Sequence, residues 1–450
     1  MKNHVFLLAF LLFALTSNAD DRRKRAVLLP DSAPPSLSIE ETPQPIVYEE
    51  TEDETSLDAE ERAAQWGAYN LNSVPLASEH TWKGTAQRQL DSLCNTPLFA
   101  TSQLGLYVFD ITAGEDLFAV NYRHRMRPAS CEKLVTAISA LSLLGGGYQL
   151  LTDLRMAGEV RDGVLEGDVY VVGRMDPLLA QGDVYGMARE LREQGIDSIA
   201  GTVNMDVSFK DTDDYGWGWC WDDKWGPLRV LTIDGRDTFA QEFLSDLHSV
   251  GIRLADEQVH TTLCPSSARL LRQSQHSVDQ ILPRMLKQSD NIFAESLFCH
   301  IAANGASGRG VGHRQAAARI KSFISQRLEM DASAYEIADG SGLSLYNYVS
   351  PQLLVEFLVY AWQNEQIRLH LYGALPVAAS DGTLAKRMKG TEAQHNVHAK
   401  TGTVEGVSSL AGYATNADGH ILAFSIINQG ISSTRAAKDF QDRVCQVLCR

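Results

Sequence analysis

Three short polar motifs occur in a fixed order along the chain, separated by long stretches of sequence. Ser130 and Lys133 come first, Ser289-Asp290-Asn291 second, and Lys400-Thr401-Gly402 third. Each motif alone is a common combination of residues. Their order constrains the fold, because hydroxyl, amine and amide groups that act on one substrate have to be brought together from three distant segments.

Ser130 and Lys133 fall in a segment with helical periodicity. Pro128 suits the first turn of a helix, and apolar residues recur at helical spacing as far as Gly145. Residues three apart on a helix share one face, so the Lys133 amine can reach the Ser130 hydroxyl. A serine hydroxyl needs a base, and a lysine can serve if burial and a second cation lower its pKa. Lys400 is our candidate for that second cation.

The second motif lies between two segments with helical patterns. We expect the Ser289 hydroxyl to relay a proton toward a leaving amine, and the Asn291 amide to hold Lys133 and the substrate. Asp290 is expected to brace the turn. Helix capping alone also explains these three residue types, so both interpretations stay open.

The third motif belongs to a short strand predicted for residues 397–404. An extended peptide can pair with such a strand, while Lys400, Thr401 and Thr403 engage its terminal carboxylate. Gly402 would leave room for that approach. The backbone N–H groups of Thr403 and Ser130 are expected to form an oxyanion hole.

Strand patterns occur near both ends of the chain. Two early and three late segments predict an α+β fold with one five-stranded antiparallel sheet and helices on both faces. The segments are residues 105–109, 117–121, 397–404, 410–415 and 421–428.

Between the early and late strands, residues 148–263 have the short strands and turns of an inserted strand-rich domain. The catalytic domain is then discontinuous, covering residues 79–147 and 264–450. The insert contains a tryptophan cluster, for which a packed core is favoured over a glycan-binding surface. Its members are Trp217, Trp219, Trp221 and Trp225.

The amino terminus has the features of an export signal. An apolar run from Val5 to Leu15, followed by small residues up to Ala19, predicts a signal peptide over residues 1–19. The run is too short to cross a bilayer as a helix, so no transmembrane span is expected after cleavage. Residues 20–78 are rich in proline and acidic side chains, which predicts a disordered linker.

Charge and cysteine content exclude several classes of function. A net charge of -16 leaves no basic footprint for nucleic acid. Seven cysteines are too few and too unevenly spaced for a disulfide scaffold, although an exported chain can pair some of them. Cys445 and Cys449 are interpreted as packed thiols. We expect no metal and no cofactor, since no Cys/His spacing typical of a metal site is present.

The chain resembles the penicillin-binding D-alanyl-D-alanine carboxypeptidase/endopeptidase family, the low-molecular-mass class C serine DD-peptidases. The similarity extends from residue 82 to the end. Besides the three motifs, the stretches that carry it are Pro128–Ala137, Trp219–Asp223, Asp339–Ser344, Val349–Pro351, Leu375–Ala378 and Asp381–Leu384.

This resemblance implies the serine β-lactamase/DD-peptidase fold and an exported, periplasmic enzyme of the bacterial cell envelope. Such an enzyme removes the last D-alanine from peptidoglycan stem peptides ending in D-Ala-D-Ala, and β-lactams acylate it. Cleavage of crosslinks is a second activity that the sequence leaves open. Ser289 follows Ser130 by fewer positions than is usual in the family, so part of the insert is expected to be reduced or missing.

Two alternatives remain beside this interpretation. The first is a β-lactamase or esterase on the same fold, which would differ in how fast water removes the acyl group. The second is a non-catalytic peptidoglycan-binding scaffold. The sequence leaves the oligomeric state open.

Overall fold

The computed structural model of the chain describes residues 72–223, 226–305 and 308–450. The predicted signal peptide, most of the predicted linker and Trp225 lie outside the described residues. Within those three ranges, no helix combines the length and the apolar composition needed to cross a membrane.

Twelve strands and ten α-helices organise the described part of the chain. The strands are β1 (Gln103–Asp110), β2 (Glu115–Val120), β3 (Gln149–Arg161), β4 (Val164–Val172), β5 (Ser198–Ile199), β6 (Val203–Asp206), β7 (Arg253–Leu254), β8 (Val259–Thr261), β9 (Arg269–Ser277), β10 (His398–Val404), β11 (Val407–Thr415) and β12 (Ile421–Gln429). The helices are α1 (Trp82–Cys94), α2 (Glu132–Leu143), α3 (Gln181–Glu193), α4 (Phe239–Ser249), α5 (Val278–Lys287), α6 (Asn291–Ala303), α7 (His313–Arg327), α8 (Pro351–Gln363), α9 (Glu365–Ala374) and α10 (Thr434–Leu448).

The five predicted strand segments form one antiparallel sheet with the spatial order β10-β11-β12-β1-β2. Side chains of a strand alternate between its two faces. Accordingly, Leu106 and Val108 of β1 join a core with α1 and α10, whereas Tyr107 joins the core that contains α2 and α8. Helices therefore cover both faces, and the predicted α+β fold is confirmed.

Helix α2 lies in the middle of the larger core. All ten residues from Glu132 to Leu141 are buried. An amphipathic surface helix would hide one stripe, but this helix packs against α6, α8 and α9 at the same time. Polar side chains on α2 are consequently held in a water-poor environment.

A second sheet is built from β3 to β9, with both antiparallel and parallel pairs. Helices α3 and α4 share a separate apolar core with it, so this unit contains helices as well as strands. The sheet continues to Ser277, beyond the predicted end at residue 263. Strand β9 is mostly polar and exposed, so its sequence lacks the pattern of a buried strand. We propose residues 148–277 as the extent of the insert.

Within the described residues, the members of the tryptophan cluster do not form a packed core. Trp217 is 60% exposed and Trp221 is 97% exposed, so the favoured prediction is wrong for both. Trp219 is half-buried, and its Nε1–H donates to Asp339 at 2.9 Å. One indole anchors the loop while its neighbours point to solvent.

Candidate active site

The first and second motifs meet at the start of α2. Ser130 lies in a 3-10 turn, Ala129–Cys131, that leads directly into this helix. The Lys133 amine is 3.0 Å from Ser130 Oγ and donates to Asn291 Oδ1 at 2.6 Å. Lys133 is fully buried and Asn291 is nearly so. The spacing argument for contact between Ser130 and Lys133 therefore agrees with the structure.

The third motif joins both of the others. Lys400 Nζ donates to Ser289 Oγ at 2.9 Å, and the Cys131 thiol donates to the backbone oxygen of Lys400 at 3.1 Å. Lys400 is also fully buried. A hydrogen bond thus connects every pair of motifs, although more than 100 residues separate them in sequence.

Three groups surround the Lys133 amine, and they fit a neutral lysine. Besides Asn291 Oδ1, the amine donates to the backbone oxygen of Ser341 at 2.7 Å. Both of these partners can only accept hydrogen bonds. In the neutral form of Lys133 these two acceptors would engage both N–H bonds, which leaves the nitrogen lone pair facing Ser130 Oγ. In that state the Ser130 hydroxyl donates to Lys133, which is the arrangement that general-base activation of a serine requires.

Burial shifts the pKa of both lysines downward. It lowers the pKa of Lys133 to about 8, against the opposing charges of Asp339 and Glu295. It lowers the pKa of Lys400 to about 7, and the charge of Lys133 adds to this second shift. Burial, rather than the second cation named from the sequence, is therefore the main reason why Lys133 can lose its proton near neutral pH.

Two residues of the site have left-handed backbone conformations that are rare outside glycine. Ala129 has φ +47° and Ser289 has φ +60°. Such conformations cost on the order of 1–3 kcal/mol and persist when neighbouring contacts fix them. Next to Ser289, the Asp290 carboxylate accepts from Ile292 N at 3.1 Å and pairs with Arg284 at 3.0 Å. The expected bracing of this turn by Asp290 is present.

Gly402 is required by the protein's own packing. A Cβ atom at this position would lie 2.7 Å from Pro128 O and 2.9 Å from Ser130 N, and would overlap Ser409 Oγ. Strand β10 therefore passes directly over the turn that carries Ser130. From the sequence we expected Gly402 to leave room for a ligand. In the structure, the missing side chain at Gly402 lets β10 pack against the turn that carries Ser130.

The outer edge of β10 borders the site. Strand β10 is an edge strand of the sheet, and Ala399 N is covered by a bond to Pro376 O. Beyond it, the Thr401 hydroxyl donates to Thr383 Oγ1 at 2.8 Å. Thr403 lies two residues further along with an exposed side chain. Thr383 was not among the predicted site residues, because it comes from a separate loop.

A buried acidic cluster, consisting of Glu132, Glu295 and Asp339, lies beside Lys133. Glu295 accepts from His313 Nε2 at 3.0 Å and from Gly340 N at 3.2 Å. Asp339 accepts from the backbone N–H groups of a loop that continues to residue 344. All three carboxyl groups influence the charge of Lys133 or respond to it.

Glu132 differs from the other two members of the acidic cluster. Among the described residues, neither of its carboxyl oxygens has a hydrogen-bond partner, and the side chain is fully buried. Burial raises its pKa well above the ordinary value, and the charges of Asp339 and Glu295 raise it further. The cluster escaped the sequence argument, because a glutamate in the first turn of a helix usually has a favourable, exposed position.

Within the described residues there is no group of three or more His, Cys, Asp or Glu side chains arranged to hold a metal ion. The seven cysteines are free thiols. Cys445 and Cys449 are both buried, in agreement with their interpretation as packed thiols.

Comparison with solved structures identifies the fold as that of the penicillin-binding DD-peptidases. Penicillin binding protein 4 (dacB) from Haemophilus influenzae superposes with a TM-score of 0.71 at 25% identity, covering 79% of this chain and 97% of that one. A predatory peptidoglycan endopeptidase from Bdellovibrio bacteriovorus shares the fold at 17% identity, with a TM-score of 0.52 over 77% of this chain and 92% of that one.

The sequence matches the D-Ala-D-Ala carboxypeptidase 3 (S13) family over residues 86–229 and 227–450, and the chain belongs to that family. Two relatives of known name support this family assignment. D-alanyl-D-alanine carboxypeptidase DacB of Haemophilus influenzae is 27% identical, and the match covers 74% of this chain and 86% of the relative. A D-alanyl-D-alanine carboxypeptidase of an Actinomadura species is 25% identical, covering 77% of this chain and 81% of the relative. The protein is thus a serine peptidase.

Proposed function

We propose that this enzyme releases the terminal D-alanine from peptidoglycan stem peptides through an acyl-enzyme on Ser130. The observation that carries the proposal is the placement of the buried Lys133 amine, with two carbonyl-type acceptors on its N–H bonds and Ser130 Oγ at 3.0 Å. Membership of the S13 family supports the choice of substrate.

In the proposed acylation step, Ser130 Oγ attacks the carbonyl carbon of the penultimate D-alanine and its proton moves to Lys133. The negative charge on the carbonyl oxygen is stabilised by the backbone N–H groups of Ser130 and Thr403. The C–N bond then breaks, the leaving amine takes a proton through Ser289, and free D-alanine departs. Water hydrolyses the resulting ester and restores the Ser130 hydroxyl.

Lys400 is proposed to bind the terminal carboxylate of the substrate, together with Thr401 and Thr403. Among the described residues, no carboxylate forms an ion pair with Lys400. A buried ammonium without a counter-ion is costly, so an incoming carboxylate would raise its pKa and keep it charged. The same contacts would hold the carboxylate of a β-lactam, which we expect to acylate Ser130.

The substrate also determines where the enzyme works. Peptidoglycan lies outside the cytoplasmic membrane, so we propose that the chain is exported and acts in the bacterial cell envelope. The charged, apolar and small-residue pattern at the amino terminus supports export.

The decisive experiment compares the wild type with Ser130→Ala on a stem pentapeptide ending in D-Ala-D-Ala. We expect the variant to lose both D-alanine release and covalent labelling by a fluorescent penicillin. Ser139→Ala is the matched control, because Ser139 lies on the same helix and its buried Oγ has no partner in the described residues. Wild-type protein that releases no D-alanine, or a labelled Ser130→Ala variant, would disprove the proposal.

A further inference from the structure

An exposed aromatic platform lies next to the candidate active site. Nine large apolar side chains are exposed in the described residues, and four of them belong to one short loop and the turn that it contacts. We define the aromatic platform as Tyr215 (57% exposed), Trp217 (60%), Trp221 (97%) and Tyr346 (44%). Large aromatic groups concentrated at one place on a surface mark a binding site more often than they occur by chance.

The backbone that carries these rings is held in place. Trp219 Nε1 donates to the buried Asp339, and the Ser344 hydroxyl donates to the Trp217 carbonyl oxygen at 2.7 Å. Gly218 has φ +80°, and a Cβ atom there would overlap the Tyr346 ring. The rings are therefore exposed on a fixed scaffold, which lowers the entropy lost when a ligand binds.

Trp217 and Tyr346 form the centre of the platform. Their ring centroids are 4.7 Å apart and the ring planes meet at 45°. Trp217 and Tyr215 also line a cleft of about 860 Å³, which is within the size range of small-molecule sites. The cleft thus has two aromatic side chains in its lining and is large enough for one or two sugar rings.

The remaining lining of the cleft offers hydrogen bonds of both kinds. Asp211 and Asp213 supply acceptors, Arg314 supplies donors, and Gln315 supplies both. A site for an anion would show one sign of charge, and a protein interface would be larger and flatter. Aromatic faces combined with mixed donors and acceptors suit a sugar, which presents C–H groups on its faces and hydroxyl or acetamido groups at its edge.

One loop connects this cleft with the catalytic lysine. In residues 339–346, the Ser341 carbonyl accepts a hydrogen bond from Lys133. The same loop forms hydrogen bonds with the Trp219 indole and with the Trp217 backbone oxygen. Ala338, the residue before this loop, lines the cleft. A substrate bound at Ser130 therefore has the platform within its neighbourhood.

We propose that Trp217, Tyr346 and Tyr215 form a carbohydrate subsite that binds the glycan to which the stem peptide is attached. This inference rests on the proposed function, since the stem peptide has to occupy the Ser130 site at the same time. The subsite makes the enzyme prefer peptides that are still linked to the amino-sugar strand over free peptides of identical sequence.

The test uses two substrates with the same pentapeptide, one free and one carrying its peptidoglycan disaccharide. For the wild type we expect kcat/KM to be about tenfold higher for the disaccharide substrate, the value of one or two well-made aromatic contacts. Trp217→Ala and Tyr346→Ala should each lose most of this preference and cleave the free peptide at the wild-type rate. Tyr185→Ala, which removes an exposed aromatic side chain from α3, should keep the full preference.

Failure of the subsite and failure of the proposed function give different results. Equal wild-type rates on the two substrates, or an unchanged preference in both platform variants, would overturn the carbohydrate subsite. Equal losses on both substrates in Trp217→Ala and Tyr346→Ala would also overturn it, because the rings would then act on the peptide site. Absence of D-alanine release from the free peptide by the wild type would instead remove the proposed function.

Discussion

Two buried lysines, each beside a serine, have different surroundings. Lys133 is hydrogen-bonded to two carbonyl-type oxygens, and the charges of Asp339, Glu295 and Asp290 stabilise its protonated form. Lys400 donates to Ser289 and to a backbone oxygen. The charge that most affects the pKa of Lys400 is that of Lys133. The pKa is lowered to about 8 for Lys133 and to about 7 for Lys400.

The difference teaches how the same pair of residue types can serve two tasks. The charges of the acidic cluster oppose the effect of burial, so that both protonation states of Lys133 are accessible close to neutral pH. A general base needs both states, because it takes up a proton and then returns it. Lys400 has no such compensation within the described residues, so a carboxylate from outside the protein would stabilise its charge most. The first pair fits proton transfer and the second fits recognition.

Among the tests of the different roles of the two lysines, Lys133→Arg should have the largest effect on the acylation rate. A guanidinium keeps the positive charge but cannot be deprotonated in a protein, so it cannot act as the base. We expect the rate of Ser130 acylation by a fluorescent penicillin to fall by about 10²- to 10⁴-fold, the usual contribution of general-base catalysis. The comparison variant is Lys400→Arg, which retains the positive charge that we propose for carboxylate binding. Normal acylation of Lys133→Arg would show that Lys133 is not the base.

Replacing Lys400 by alanine should have a smaller and more selective effect. We expect kcat/KM on a peptide with a free terminal carboxylate to fall by about 10- to 100-fold, as for the loss of a hydrogen bond to a charged group. On the same peptide with a terminal amide, wild type and variant should react equally slowly. If the variant is equally impaired on both peptides, Lys400 acts on the chemistry and not on the carboxylate.

The smallest expected effect is a shift of the pH profile. The acylation rate should rise with pH through about 8, because the neutral form of Lys133 increases as pH passes its pKa. Glu295→Gln removes a charge that raises this pKa, so the rising limb should move to lower pH. Glu132→Gln is the matched variant and should leave the limb in place, since burial raises the Glu132 pKa and so favours the neutral carboxyl group. An upward shift in Glu295→Gln, or a clear shift in Glu132→Gln, would contradict this account of the acidic cluster.

Much of the fold followed from local patterns. Alternation and turn residues indicated the five strands of the catalytic sheet, and helical spacing placed Ser130 and Lys133 on one face. The insert was predicted to end at residue 263, whereas the second sheet continues to Ser277, because β9 is a polar, exposed strand that lacks the pattern of a buried one. The packed core predicted for the tryptophan cluster is wrong for Trp217 and Trp221, because a tryptophan-rich segment looks apolar in sequence, whereas here Trp219 is hydrogen-bonded to Asp339 and the other two indoles are exposed.

The sequence by itself determined the order of the motifs, the elements that carry them and the family to which the chain belongs. These properties depend on residues that are neighbours along the chain or within a helical turn. The tertiary structure decided the burial of the two lysines, the acidic cluster beside Lys133 and the exposure of Trp217. The reason is physical: the Ser341 carbonyl that holds Lys133 lies 208 positions away, and a pKa is set by whatever the fold places within a few ångströms of the group.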